Sequence, residues 1–323
     1  MIQLPIPING YLINNEKKME LKKALSRGIV LCDGAMGTQL INNGLPSGMP
    51  TACCNVICPD KILSIHKKYI SVGAQAILTN TFNANRLKLK GHKEYDVKEL
   101  NHIGVKLARQ ASAGTDVMVF GDIGPSGNEE SFLYSLQEGK VIADKAKQDL
   151  YDVYKEQVIA LTETGVEAIL IETMSYLQEA IIATKAAAEN TEIPVICTMV
   201  FRAPPDSRPN DFKTLWGDTL PDVVHSLIEA GATCIGANCG DVVEAMPRLV
   251  QQMRNMTHLP LVFQVNAGRA ELDVQTNQTV HPLGPAEFGQ IISEVAAEGA
   301  NVVGGCCGTT PDHIKAARRC LNC

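Results

Sequence analysis

The stretch Glu163-Thr164-Gly165-Val166-Glu167-Ala168-Ile169-Leu170-Ile171-Glu172-Thr173 decides the fold. Gly165 closes the helix-like segment before it, as a glycine does where a helix backbone turns left-handed. The four apolar residues Ala168 to Ile171 follow with no polar interruption. An unbroken apolar run of that length reads as a strand covered on both faces. It ends on Glu172 and Thr173, and a helix-like stretch, Gln178–Glu189, comes next.

The same unit recurs on either side. Apolar runs lie at Ile29–Leu31, Ala76–Leu78, Val117–Phe120, Ala168–Ile171, Val195–Cys197, Cys234–Gly236, Leu261–Phe263 and Val302–Val303. Helix-like segments cover Lys61–Ser71, Val97–Ala113, Ile142–Thr164, Gln178–Glu189, Leu220–Glu229, Val242–Arg254, Ala286–Glu298 and His313–Cys320. Eight β-then-α units in one α/β chain of 323 residues predict a single-domain (β/α)8 TIM barrel. The competing arrangement is a doubly wound open sheet. The first run lacks a following Gly-x-Gly-x-x-Gly, which weighs against it. Residues 1–27 read as an N-terminal extension packing on the barrel and residues 28–323 as the barrel itself. Leu45–Asp60 and Arg202–Trp216 read as long loops after the first and fifth strands.

Composition narrows the function classes. At 45% hydrophobic residues the chain can bury a large core without covalent staples. A net charge of −6 leaves no basic footprint for nucleic acid. Apolar runs fall far short of the roughly 18 residues of a membrane span, and the first residues lack the layout of a signal peptide. The expectation is a cytoplasmic protein with neither nucleic-acid nor membrane partners. Eleven cysteines in a reducing compartment point to metal binding or catalysis rather than to disulfides.

In a TIM barrel the chemistry sits at the C-terminal strand ends. Those ends read Asp33, Asn80 with Thr81, Asp122, Glu172 with Thr173, Thr198, Asn238 with Cys239, Asn266, and Cys306 with Cys307. Three cysteines after strands six and eight make the inventory of a Zn2+ site with one open position. Gly304, Gly305 and Gly308 give the Cys306-Cys307 turn the freedom to aim two adjacent sulfurs at one ion. Such an ion holds a substrate thiol deprotonated near neutral pH, where a free thiol of pKa about 8.5 is mostly protonated. Cys32, Cys197 and Cys234 lie inside apolar runs and read as core residues. Cys53, Cys54 and Cys58, and the pair Cys320 and Cys323, lack a full ligand set and read as incidental. Asp33 and Glu172 are placed to receive an α-ammonium group. For Asp33 a helix cap is an equally good reading. The Gly34 and Ala35 amides, at a helix start, suit a carboxylate. Together these groups describe a thiol amino acid.

The segments Asp33–Thr38, Thr79–Phe82 with Ala84–Arg86, Gly121–Pro125, Ile171–Thr173, Gly236–Cys239, Asn266–Gly268 and Gly304–Pro311 resemble the homocysteine S-methyltransferase family. Within it they are most similar to the homocysteine-binding module of cobalamin-dependent methionine synthases. The resemblance implies one zinc held by Cys239, Cys306 and Cys307. It implies that homocysteine sulfur takes the fourth position and attacks a methyl group to give methionine. It implies amino-group contacts from Asp33 and Glu172, with Gly34, Ala35, Thr81 and Asn238 in the substrate site. The expected donor is methylcobalamin on a corrinoid protein partner, with a folate-binding methyltransferase subunit as a further partner. Alternatives are S-methylmethionine- or betaine-dependent homocysteine methylation, or a catabolic methyltransferase linked to a corrinoid. Val265 stands where the family often has proline before the Asn-Ala-Gly turn.

Overall fold

Eight parallel strands form one sheet in the computed structural model, which describes residues 20–321 except 43, 46–47, 138–139, 206 and 274–277. They are β1 (Val30–Leu31), β2 (Ala76–Leu78), β3 (Met118–Ile123), β4 (Ala168–Met174), β5 (Val195–Met199), β6 (Cys234–Asn238), β7 (Leu261–Val265) and β8 (Val302–Gly305). Consecutive strands are neighbours from β2 through to β8, and β8 pairs with β1. The last seam closes through a parallel bridge between Cys32 and Ala76, backed by the Asp33 N–H donating to Ala76 O at 3.0 Å. The eight predicted runs are the eight strands, and the barrel is the predicted (β/α)8 architecture.

Alternation along each strand explains why the runs are apolar throughout. Ala168 and Leu170 of β4 join Val30, Cys32, Met118, Phe120, Ile196 and Cys234 in a cluster that fills the lumen. Ile169 and Ile171 instead pack outward among the helices with Leu31, Val119 and Val303. Side chains two apart share a face, so both faces of every strand must be apolar at its lower end. Leu21 and Ala24 of the short helix Leu21–Leu25 belong to the lumen cluster and plug its base. The part of the predicted N-terminal extension before residue 20 lies outside the described residues.

The outer helices begin and end close to the predicted bounds, as at Leu220–Glu229, Pro285–Ala297 and Pro311–Leu321. Thr219 caps the first of these by accepting from the Asp222 N–H, with Asp222 reaching back to the Thr219 N–H. The helix predicted from Val242 starts at Met246, after a single tight turn at Val243–Ala245, because Pro247 favours the first helical positions. A helix at Glu129–Gln137 was not expected.

Both predicted loops carry structure. The segment after β1 folds into a tight turn at Thr51–Cys53 and one helical turn at Cys54–Ile57. Long-range side chains hold it: Asn83 Oδ1 accepts from the Ala52 N–H at 3.1 Å, and Asn55 Nδ2 donates to Asn80 O at 2.9 Å. The segment after β5 contains a small hairpin in which Phe201–Arg202 pairs with Lys213–Thr214.

Candidate active site

Carrying the alternation upward along the strands replaces apolar residues with polar ones. Above Phe120 comes Asp122, above Leu170 comes Glu172, above Cys234 and Gly236 comes Asn238, and beyond Val302 and Gly304 comes Cys306. The lumen is therefore dry at its base and lined with functional groups at its mouth. Gly236 is needed for this spacing, because a Cβ there would overlap the Val262 carbonyl of β7.

The cysteines predicted after β6 and β8 converge. The sulfurs of Cys239, Cys306 and Cys307 lie within 4.8 Å of one another, and Cys239 Sγ is 3.8 Å from Cys307 Sγ. Tetrahedral metal–sulfur bonds of about 2.3 Å place sulfurs about 3.8 Å apart, the separation of Cys239 and Cys307, so the donor set suits such an ion.

The backbone aims these sulfurs. Cys239 has φ +60°, an uncommon conformation for a residue with a Cβ, and Gly240 follows with φ +73°. The Cys239 N–H donates to Gln264 O at 3.2 Å, which ties the strained residue to β7. On the other side Cys306 N–H donates to Val265 O at 2.8 Å, and Ala267 N–H donates to Cys307 O at 2.9 Å. Gly308, with φ +79°, lies against the His281 ring and donates its N–H to Thr38 Oγ1 at 3.1 Å.

Two amides reach the sulfurs. Asn238 Nδ2 is 3.6 Å from Cys306 Sγ, and Asn266 Nδ2 is 3.7 Å from Cys239 Sγ. Asn238 is fully buried and every polar atom of its side chain is engaged. Its Oδ1 accepts from Thr198 Oγ1 at 2.8 Å and from the Thr173 N–H at 2.7 Å, and its Nδ2 donates to Thr173 Oγ1 and Glu172 Oε2. Thr173 has φ +62°, and the two contacts with Asn238 fix it there.

Burial dominates the electrostatics of the carboxylates. It pushes Glu172 up to about 8, with the Cys239 charge adding to the effect. Burial raises Asp33 well above the usual carboxylate range, partly offset by the Leu78 N–H and increased by Glu172. It raises Asp122 likewise, with Glu172 and Asp33 contributing. Among the thiols, S–H donation from Cys306 and Cys307 draws Cys239 well below the ordinary thiol range. The same contact with Cys239 raises Cys306. The opposite shifts arise from the contacts among the three sulfurs, so their titrations are coupled.

The remaining predicted residues fall around this centre. Asp33 is buried after β1, its Oδ2 accepting from the Leu78 N–H at 3.1 Å. Gly34 lies against Thr309, where a Cβ would come within 2.5 Å of Oγ1. The Ala35 N–H donates to Thr309 Oγ1 at 3.0 Å, and the Ala35 carbonyl accepts from Tyr69 OH at 3.0 Å. Thr81 is fully buried, with its hydroxyl donating to Asp122 O at 2.7 Å. Thr309, which sequence reasoning passed over, also donates to Cys306 O at 2.7 Å and so joins the first turn to the cysteine turn. Its only sequence signal is a hydroxyl directly after Gly308.

The cysteines Cys53, Cys54 and Cys58 form no three-sulfur group: the Cys54 and Cys58 thiols meet, and Cys53 turns away from them. Cys53 packs with Ala84, Leu89 and Leu100, whereas Cys54 joins the main core beside Leu40. Among the described residues, Cys239, Cys306 and Cys307 form the one group of three or more with metal-holding geometry. Cys323 lies outside the described residues.

The chain is 27% identical to the methionine synthase of Mycobacterium tuberculosis over 312 residues and 27% identical to that of Mycobacterium leprae over 316. Each match covers 92% of this chain, which spans about a quarter of the length of those relatives. Two crystal structures of the homocysteine methyltransferase MmuM from Escherichia coli superpose with TM-score 0.71. The oxidized form is 25% identical and the metallated form 24%; they cover 90% of this chain and 95% and 96% of theirs. A model of the family described as homocysteine S-methyltransferase matches residues 30–321, from the first strand to the last helix, and the chain belongs to that family.

Proposed function

We propose that the chain methylates homocysteine on a zinc-bound sulfur, with the methyl group supplied by a methylcorrinoid on a separate protein. The observation that carries this reading is the convergence of Cys239, Cys306 and Cys307 beside Glu172 and Asp33 in one barrel mouth. Zinc held by the three cysteines supplies Lewis acidity that keeps the substrate thiol deprotonated.

The chain's own residues do the rest. Asn238 orients Cys306 and Glu172 through one amide group, so the metal ligand and the ammonium-binding carboxylate move as a unit. Asn266 donates to Cys239 and limits the negative charge that builds up on the three thiolates. Asp33 and Glu172 receive the substrate ammonium, which returns both carboxylates to their ionised forms. Gly34 and Ala35 line the turn against which the substrate carboxylate lies, and Thr81 supports the site from beneath. The substrate thiol loses its proton to solvent on binding. Its sulfur lone pair forms the new S–C bond, and the electron pair of the broken bond leaves with the donor.

The described residues from 28 onward are this catalytic barrel, and the helix Leu21–Leu25 before them plugs its base. Among the described residues no helix is long and apolar enough to cross a membrane. Three reduced thiols suit a cytoplasmic setting. A folate-binding methyltransferase subunit is the natural source of fresh methyl groups for the corrinoid partner.

A second reading rests on the Escherichia coli homocysteine methyltransferase, which this chain covers almost end to end. That match favours a stand-alone enzyme using a small donor such as S-methylmethionine or betaine. Zinc-loaded protein assayed with homocysteine and methylcobalamin, S-methylmethionine or betaine separates the two. Methionine from methylcobalamin alone supports the corrinoid reading. Methionine from a sulfonium or quaternary ammonium donor supports the second, and no methionine from any donor, even with a methylated corrinoid protein, contradicts both.

A further inference from the structure

Asp33, Asp122 and Glu172 come from three different strand ends, β1, β3 and β4, and are 3%, 5% and 9% exposed. Among the described residues none of the three is recorded in an ion pair with Lys, Arg or His. Three carboxylates this deeply buried and this close in charge do not coexist ionised without a cation among them.

Each of the three carboxyls has one partner from the protein. Asp33 Oδ2 accepts from the Leu78 N–H, and Glu172 Oε2 faces Asn238 Nδ2 at 3.4 Å. The Asp122 carboxyl has the Ile123 N–H, yet its Oδ1 is buried and has no hydrogen-bond partner. A buried acceptor left without a donor costs about 1–3 kcal/mol, so such an atom marks a place where a donor arrives. The main chain of Asp122 is clamped on both sides. Its N–H donates to Thr79 Oγ1 at 3.0 Å, and its carbonyl accepts from Thr81 Oγ1 at 2.7 Å. The two threonine hydroxyls are themselves 2.6 Å apart. The Asp122 main chain is therefore fixed before any ligand binds. By strand alternation its side chain continues the lumen face of Met118 and Phe120.

We propose that Asp122 is a third carboxylate of the substrate ammonium pocket, its Oδ1 accepting one N–H of the α-ammonium group while Asp33 and Glu172 accept the other two. An α-ammonium has three N–H donors in tetrahedral array, and the mouth presents three acidic side chains from three directions. The proposal rests on the homocysteine reading and adds a selectivity to it: a thiol that lacks the amine should bind poorly. Thr79 and Thr81 then act as positioning residues through the Asp122 backbone.

The test is calorimetric titration of zinc-loaded wild type, Asp122→Asn and Asp122→Ser with L-homocysteine and with 4-sulfanylbutanoate, which has the thiol and carboxylate but no amine. Loss of one charge-assisted hydrogen bond predicts a homocysteine affinity about 10- to 100-fold weaker in both variants. Affinity for 4-sulfanylbutanoate should stay within about threefold of wild type, since that ligand never meets Asp122. Asp122→Asn is isosteric, and Asp122→Ser keeps the test alive should the amide disturb folding; zinc content and thermal midpoint certify each sample. Unchanged or tighter homocysteine binding in the variants overturns the role of Asp122 and leaves the homocysteine reading standing. An equal loss for both ligands makes Asp122 structural and also overturns it. Wild type that binds neither ligand overturns the homocysteine reading itself.

Discussion

Asn238 Nδ2 lies 3.6 Å from Cys306 Sγ, and the same nitrogen lies 3.4 Å from Glu172 Oε2. One buried amide thus couples a sulfur of the proposed zinc site to a carboxylate of the proposed substrate pocket. Replacing Asn238 by Asp exchanges the donor for a second acceptor facing both the carboxylate and the thiolate. Loss of such an outer-sphere contact costs about 10- to 100-fold in metal affinity. Asn238→Asp is expected to release zinc to a chromophoric chelator at correspondingly lower chelator concentration. Wild-type retention would remove Asn238 from the account.

Gly308 packs against His281, and its φ of +79° is one that residues with a Cβ rarely adopt. Gly308→Ala is expected to lower stability by about 1–3 kcal/mol through strain and overlap with the His281 ring. His281→Ala in the same chain should restore the overlap part but not the backbone part. A double-mutant cycle by urea denaturation checks this, and strict additivity would mean that the ring does not oppose the new methyl group.

His66 is fully buried and neither ring nitrogen has a partner, so burial lowers its pKa to about 4. In the unfolded chain it takes a proton near pH 6.5. Below that pH the unfolded state binds the extra proton, so the stability present above 6.5 is lost as pH falls toward 4. The shift corresponds to about 3 kcal/mol. The difference in unfolding free energy between wild type and His66→Met should therefore change by about this amount between pH 7 and pH 4, with wild type losing more. A pH-independent difference would mean that His66 is solvated or paired.

Much of this was legible in the sequence, for reasons visible in single residues. The run Ala168–Ile171 is apolar at every position because Ala168 and Leu170 fill the lumen while Ile169 and Ile171 meet helices. That double burial marks all eight strands, and once their order is known the strand-end cysteines fall together. What stayed hidden depends on distant partners. Thr309 acquires its place from Ala35, 274 residues away. Proximity in sequence misleads for Cys53, Cys54 and Cys58, because a tight turn followed by one helical turn sends Cys53 and Cys54 into different clusters.

That separation has its own consequence. Cys54 is pushed up to about 12 by burial and by the neighbouring Cys58 thiol, so it is a poor ligand and a poor nucleophile. Cys54→Ser and Cys58→Ser should each keep the metal content of wild type by atomic absorption. Cys306→Ser or Cys307→Ser should lose it. The reverse pattern would move the metal to the loop after β1.

The central claim is that the three cysteines hold zinc with a position left for the homocysteine sulfur. Zinc K-edge X-ray absorption on the loaded protein, before and after homocysteine is added, reads this directly. The account predicts three sulfurs and one lighter atom in the first shell, changing to four sulfurs at about 2.3 Å. A first shell that does not change on adding homocysteine, or that holds fewer than three sulfurs beforehand, would contradict it.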